Sequence, residues 1–267
     1  TLSNGTLSRA RLTLGTQPLE VAYGTRSNRL DGVTVVGDID LTNATLRLND
    51  VAIDGRVTLV HGSDPYGGST LAFEGTQTLA GHAEIVSDGV VGYYYNALEM
   101  QAAGELTLGA AVRIHGAGLN LGGSNVFGIP MQRLINLGAI DADSSSGAPL
   151  QVVAGTFTNE GVVRASGGIL NLHSGSTSNE TGGLFQVTSG TLNVGGSWQS
   201  AGRVDISGGT LNLGGTFDTT DFGGFVSTGG TVRITGDVDN VGRTLDLVAT
   251  PGSWELSNGT IHGGTLQ

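Results

Sequence analysis

Short runs in which apolar and polar residues alternate recur along the whole chain. In the N-terminal half they are residues 10–14, Ile39-Asp40-Leu41, Leu46-Arg47-Leu48, Val57-Thr58-Leu59, Leu71-Ala72-Phe73, Leu106-Thr107-Leu108 and Val112-Arg113-Ile114. A period of two marks a strand with one buried face. Helical periodicity is almost absent; the one mildly helical stretch is Asn96-Ala97-Leu98-Glu99-Met100-Gln101-Ala102-Ala103.

In the C-terminal half the runs repeat in step. Five segments align as Gly155-Thr156-Phe157-Thr158-Asn159, Gly175-Ser176-Thr177-Ser178-Asn179, Gly196-Ser197-Trp198-Gln199-Ser200, Gly215-Thr216-Phe217-Asp218-Thr219 and Gly236-Asp237-Val238-Asp239-Asn240. A second set keeps the same step: Gly168-Ile169-Leu170-Asn171-Leu172, Gly190-Thr191-Leu192-Asn193-Val194, Gly209-Thr210-Leu211-Asn212-Leu213 and Gly230-Thr231-Val232-Arg233-Ile234. Units of this size that hold only short strands and Gly/Asn corners cannot bury their own apolar face, so they must stack on one another. The expectation is an all-β fold: a single right-handed parallel β-helix, or β-solenoid, of about a dozen coils of roughly 20–22 residues, a rod of order 60 Å.

Stacking sets equivalent positions above each other. Phe157, Thr177, Trp198, Phe217 and Val238 are expected to form one mostly apolar interior row, a core rather than a sugar platform. Asn171, Asn193, Asn212 and Arg233 are expected to form an outward polar row, where the three Asn either hydrogen-bond a glycan or ladder with one another. Glycine recurs at the corners, where φ > 0 or close backbone approach excludes other residues. Within residues 1–267, residues 1–121 read as looser coils with an excursion near 87–103, residues 122–133 as an irregular junction around Pro130 and Met131, and 134–267 as regular coils. Leu2-Ser3-Asn4-Gly5-Thr6 recurs as Leu256-Ser257-Asn258-Gly259-Thr260, which reads as one strand face presented again at each end and suggests one module of a longer tandem array.

Composition narrows the function. The 47 glycines in 267 residues are close to 18%, against a globular norm of roughly 7%, without the every-third-residue spacing of collagen. The formal charge of −11 disfavours phosphate backbones and anionic lipid surfaces, so neither nucleic acid nor membrane insertion is expected. All 12 basic residues are Arg, which excludes Schiff-base lysines, a P-loop lysine and a Lys-Asn isopeptide staple. With no cysteine, disulfides, thiolate metal sites and cysteine nucleophiles are excluded as well. Thr1-Leu2-Ser3-Asn4 does not read as the start of a signal peptide.

The runs Leu30-Asp31-Gly32-Val33-Thr34-Val35-Val36-Gly37-Asp38-Ile39-Asp40-Leu41, Phe73-Glu74-Gly75-Thr76-Gln77-Thr78-Leu79, Asn136-Leu137-Gly138-Ala139-Ile140, Thr158-Asn159-Glu160-Gly161 and Gly252-Ser253-Trp254-Glu255-Leu256, with Gly263-Gly264-Thr265-Leu266, resemble modules of very large bacterial tandem-repeat surface proteins of the haemagglutinin-like and autotransporter-passenger-like kind. The resemblance implies a secreted or cell-surface structural or adhesive module whose partners are neighbouring modules or like chains end to end, and surface glycans. It carries over no catalytic residue.

The alternative class is a carbohydrate-active β-helix enzyme, a lyase or hydrolase. The adjacent aspartates, Gly-His-Gly and Arg-x-Lys of β-helical galacturonan hydrolases are missing, which leaves Arg113 with His115 and His82 with Glu84 as candidate pairs, the members of each aligned on one strand face. Asp38 with Asp40, Asp141 with Asp143 and Asp237 with Asp239 could offer oxygens to Ca²⁺, but none lies in a calcium-binding motif, and no metal or cofactor is expected. Tyr93-Tyr94-Tyr95 is the strongest ligand-binding candidate, since aromatic faces stack on sugar rings.

Overall fold

Each alternating run is a strand, and each strand pairs in parallel with its equivalents in the neighbouring turns. The computed structural model describes residues 1–63, 67–88, 96–123, 129–247 and 252–267. Those residues hold no helix and wind as a parallel β-solenoid of about 11 turns. One face is a sheet of 12 strands, from Thr6–Ser8 to Ser253–Leu256. The second face is a sheet of nine strands from Gln77–Leu79 to Thr260–His262. A third sheet of 12 holds the strands of the third face from Leu19–Val21 to Gly224–Ser227 and, joined to them through Ala52–Val60, the strands Arg11–Thr13 and Thr34–Val36 on the second-face side of that corner. Ala52–Val60 spans a corner in a single strand; it bends at Gly55, where a Cβ would stand 2.2 Å from the Gly37 carbonyl oxygen.

The interior is a stack of aliphatic rows. On the first face Leu170, Leu192, Leu211 and Val232 pair in succession, all essentially without solvent contact. The expected interior row of the second face is present: Phe157, Thr177, Trp198, Phe217 and Val238 are all buried, with Phe157 on Thr177, Thr177 on Trp198 and Phe217 on Val238. In the regular half the step stays near the expected one, since Leu150 pairs with Leu170 and Leu170 with Leu192. Elsewhere it does not: the turn from Leu30 to its partner Leu48 is shorter, and the turn from Leu119 to its partner Leu150 is much longer. Corners absorb the difference, because a corner off the ladder tolerates added residues that a strand does not.

Two expectations need correction. Asn96–Met100 is not helical but a strand of the first face, with every residue buried, paired to Thr70–Phe73 on one side and Leu119–Leu121 on the other. Burial between two neighbouring strands overrides the helix propensity of Ala, Leu, Glu and Met. Ser87 and Asp88 likewise end a strand of the third face, Ala83–Asp88, so residues 87, 88 and 96–100 of the supposed excursion are ladder. The two Leu-Ser-Asn-Gly-Thr copies do not present the same face. The first leads from Leu2, bridged to Val21, into the first face at Thr6–Ser8; the second leads from the first face into the second at Thr260–His262. What they share is a corner, with Asn4 at φ 48 and Asn258 at φ 61, a left-handed conformation that Asn tolerates better than most residues.

The recurring glycines have a geometric cause. A Cβ on Gly175 would lie 2.7 Å from the Gly155 carbonyl oxygen, one on Gly215 1.8 Å from that of Gly196, and one on Gly236 2.2 Å from that of Gly215. Each glycine therefore supports the backbone of the turn below. Gly215 also has φ +69, so Gly215→Ala combines a clash with strain and should cost at least about 2 kcal/mol; urea unfolding with a fluorescence readout measures it, and a near-neutral result would refute this account.

A second interior row is polar. Asn136, Asn159, Asn179 and Asn240 show no exposure, and Ser200 almost none. Asn136 Nδ2 donates to Asn159 Oδ1 at 2.8 Å, Asn159 Nδ2 to Asn179 Oδ1 at 2.8 Å, and Asn179 Nδ2 to Ser200 Oγ at 2.9 Å. The same amides donate to the carbonyls of Val162 and Arg203, the first residues of third-face strands. The buried Asn thus bond one turn to the next and tie down the corner between the second and third faces.

Candidate functional site

The outward amide row lies on the first face. Asn171, Asn193 and Asn212 pair in register, followed by Arg233, and the row extends back to Gln151 and Asn120. Asn193 Nδ2 donates to Asn171 Oδ1 at 2.6 Å and Asn212 Nδ2 to Asn193 Oδ1 at 2.5 Å. The amides ladder with one another, which occupies donors that a glycan would otherwise use. Tyr93, Tyr94 and Tyr95 lie outside the described residues.

The densest set of charged groups stands on the third face. Arg56, Glu84 and Arg113 form one outward row over successive turns, and His115, Asp141 and Arg164 form the row beside it. Strand alternation aims both rows outward, and stacking brings together residues that lie a whole turn apart in sequence. Arg56 Nε donates to Glu84 Oε2 at 3.0 Å. The His115 ring spans two carboxylates, with Nε2 3.0 Å from Glu84 Oε1 and Nδ1 2.9 Å from Asp143 Oδ2. Arg113 Nη2 is 3.3 Å from Asp143 Oδ2 and 3.6 Å from Asp141 Oδ2. Asp141 is buried and takes Arg164 Nε at 2.9 Å and the Ser166 hydroxyl at 2.8 Å.

This geometry places the sequence candidates. Arg113 and His115 do share one face and one network. His82 does not join Glu84; its ring is exposed and sits 3.1 Å from Asp54. Asp141 and Asp143 meet Arg and His partners rather than a shared cation, Asp38 accepts the Arg56 N–H at 2.8 Å, and Asp239 accepts the Val241 N–H at 3.0 Å. Among the described residues no group of three or more His, Asp or Glu is arranged to hold a metal. Three Arg face Glu84, Asp141 and Asp143, so the network is neutralised internally and leaves little net field for an incoming ion.

Hydrogen bonding from Arg56 is the largest influence on Glu84 and, with that from His115, holds its carboxyl below the ordinary carboxylate range against the opposing effect of burial. A carboxylate with a lowered folded-state pKa contributes stability above its unfolded pKa and loses it as pH falls through the folded value. Acidification from about pH 5 toward about pH 3 should therefore loosen the third face. A Glu84→Gln variant should show a shallower loss over that window, measured by thermal melting at a series of pH values. Equal slopes would remove Glu84 from the account.

A notch opens in the second face. Ser197 pairs with Thr216, but the ladder then stops, and a cavity of about 350 Å³ opens over the strands Ser176–Asn179 and Ser197–Ser200 beside Thr216 and Asp221. Ser176, Thr177, Ser178, Ser197, Trp198, Gln199, Thr216 and Asp221 line it. Sequence reading missed this feature, whose one signal is that the corner Thr219-Thr220-Asp221-Phe222-Gly223 is longer than Ala201-Gly202 one turn earlier.

No protein-family model matches the chain, and no curated protein or solved structure gives a significant match.

Proposed function

We propose that this chain is a structural and adhesive segment of an extracellular or cell-surface bacterial repeat protein, acting as a stiff rod that spans distance. The observation that carries the reading is the unbroken 12-strand ladder of the first face over a continuous aliphatic interior. Bending such a stack must open one ladder while compressing another, and both moves disturb close packing. The formal charge of −11 opposes lateral clumping. End-to-end partners, either neighbouring segments or like chains, belong to the same proposal, since a parallel ladder extends by adding strands along the rod.

Two copies joined in tandem test the reading. Small-angle scattering should give a maximum dimension close to twice that of one copy, whereas a broad, kinked distribution would contradict a rod. Incubation with neutral and acidic polysaccharides completes the test: new reducing ends or unsaturated products would replace the structural reading with an enzymatic one.

A further inference from the structure

The notch of the second face is built by one residue. With Ser197 opposite Thr216, a continuing parallel ladder would send the Asp218 N–H to the Trp198 carbonyl and the Ser200 N–H to the Asp218 carbonyl. Instead Asp218 N–H donates to Asp221 Oδ2 at 2.7 Å and Ser200 N–H donates to the Asp221 carbonyl at 2.8 Å. Asp221 is thus wedged into the sheet and holds the strands apart at an outward face.

The lining has a definite chemistry. It contains the hydroxyls of Ser176, Ser178, Ser197 and Thr216, the Gln199 amide and the Asp221 carboxylate, with no cationic side chain. The Ser197 and Thr216 hydroxyls and Asp221 Oδ1 make no side-chain hydrogen bond among the described residues, while Gln199 Nε2 reaches Ser178 Oγ only at 3.4 Å. Missing cations disfavour an anionic ligand. A single carboxylate with one oxygen already bonded falls short of the six to eight oxygens that Ca²⁺ takes.

We propose that this notch binds one unit of a neutral, hydroxyl-rich saccharide, its hydroxyls donating to Asp221 and Gln199 and accepting from Ser197 and Thr216. The volume lies at the lower end of the range of about 300–1,000 Å³ for small-molecule sites. This assignment stands apart from the rod reading, and either can fail alone.

The chain has two Trp, so a Trp254→Phe background leaves Trp198 as the fluorophore beside the notch. Titration with the methyl glycosides of glucose, galactose, mannose and N-acetylglucosamine should give a saturable change with at least one, at millimolar concentration. Asp221→Asn, whose amide oxygen can still accept the Asp218 N–H, should weaken binding at least about tenfold, with melting unchanged. Gln199→Ala and Ser197→Ala, both at exposed positions, carry the same test should Asp221→Asn fail to fold. No saturable change with any glycoside, equal affinity in the variants, or a saturable response to Ca²⁺ alone would overturn the assignment.

Discussion

Asn159→Asp should destabilise the central turns by at least about 3 kcal/mol at neutral pH, and the deficit should shrink as the solution is acidified. Asn159 Oδ1 accepts from Asn136 while its Nδ2 donates to Asn179 Oδ1 and, at 3.2 Å, to the Gly161 carbonyl. A carboxylate keeps the first bond and turns the others into contacts between acceptors, in a site without solvent exposure. Burial and facing oxygens both disfavour its charged form. The introduced group therefore has a folded-state pKa above its unfolded value of about 3.9. Stability is fully present below about pH 3.9 and is lost as pH rises through the folded pKa, opposite in sign to the acid loss expected at Glu84. Asn159→Ala removes the charge problem but leaves Asn179 Oδ1 without its donor, and should cost about 1–3 kcal/mol with little pH dependence. Urea unfolding at a series of pH values from acid to neutral separates the two variants. Because a solenoid can open a few turns at a time, hydrogen exchange at residues 156–187 should show the loss concentrated there. A neutral Asn159→Ala would mean that the buried amide row is incidental to stability.

The same row shows two sequence signals in conflict. Phe157, Thr177, Trp198, Phe217 and Val238 could be aligned in advance because strand period and repeat step together determine their register. Asn159 and Asn179 lie two residues beyond Phe157 and Thr177 in the same strands, so the strand period aims them inward as well; only the general preference of Asn for corners argues the other way. The stacked glycines were legible without such a conflict: at Gly175, Gly215 and Gly236 a carbonyl of the turn below lies within 2.7 Å of the would-be Cβ, and no other residue fits. Asn96–Met100 was misread because its composition favours helix and its partners, Thr70–Phe73 and Leu119–Leu121, lie a full turn away in sequence on either side. The third-face network was only half legible. That Arg113 and His115 share a face follows from their spacing, whereas their meeting with Glu84 and Asp143 depends on corner lengths, which vary as widely as the turns Leu30 to Leu48 and Leu119 to Leu150 show. The Asp221 wedge depends on a local insertion that breaks the repeat, and a method that finds repeats discards what departs from them.

Arg164→Met should cost about 3–5 kcal/mol, far more than Asp141→Asn, although both remove the same ion pair. The asymmetry follows from burial: the Asp141 side chain is 2% exposed and that of Arg164 37%. Without Asp141, the guanidinium of Arg164 can turn into solvent at little cost, and an Asn at 141 still accepts the Ser166 hydroxyl that bonds Oδ1 at 2.8 Å. Without Arg164, a buried carboxylate keeps only Ser166 and the more distant Arg113, 3.6 Å away, which must then leave Asp143 and slacken the link to His115. Arg164→Met should therefore also weaken the cluster one turn below, visible as faster exchange at the Gly116 N–H, which donates to Asp143 Oδ1 at 3.0 Å. Combining Asp141→Asn with Arg164→Met should recover most of the loss, a coupling of at least about 2 kcal/mol in a double-mutant cycle. Additive losses would mean that the pair is a surface contact of the ordinary weak kind, and that the third face is held by its backbone ladder and aliphatic interior alone.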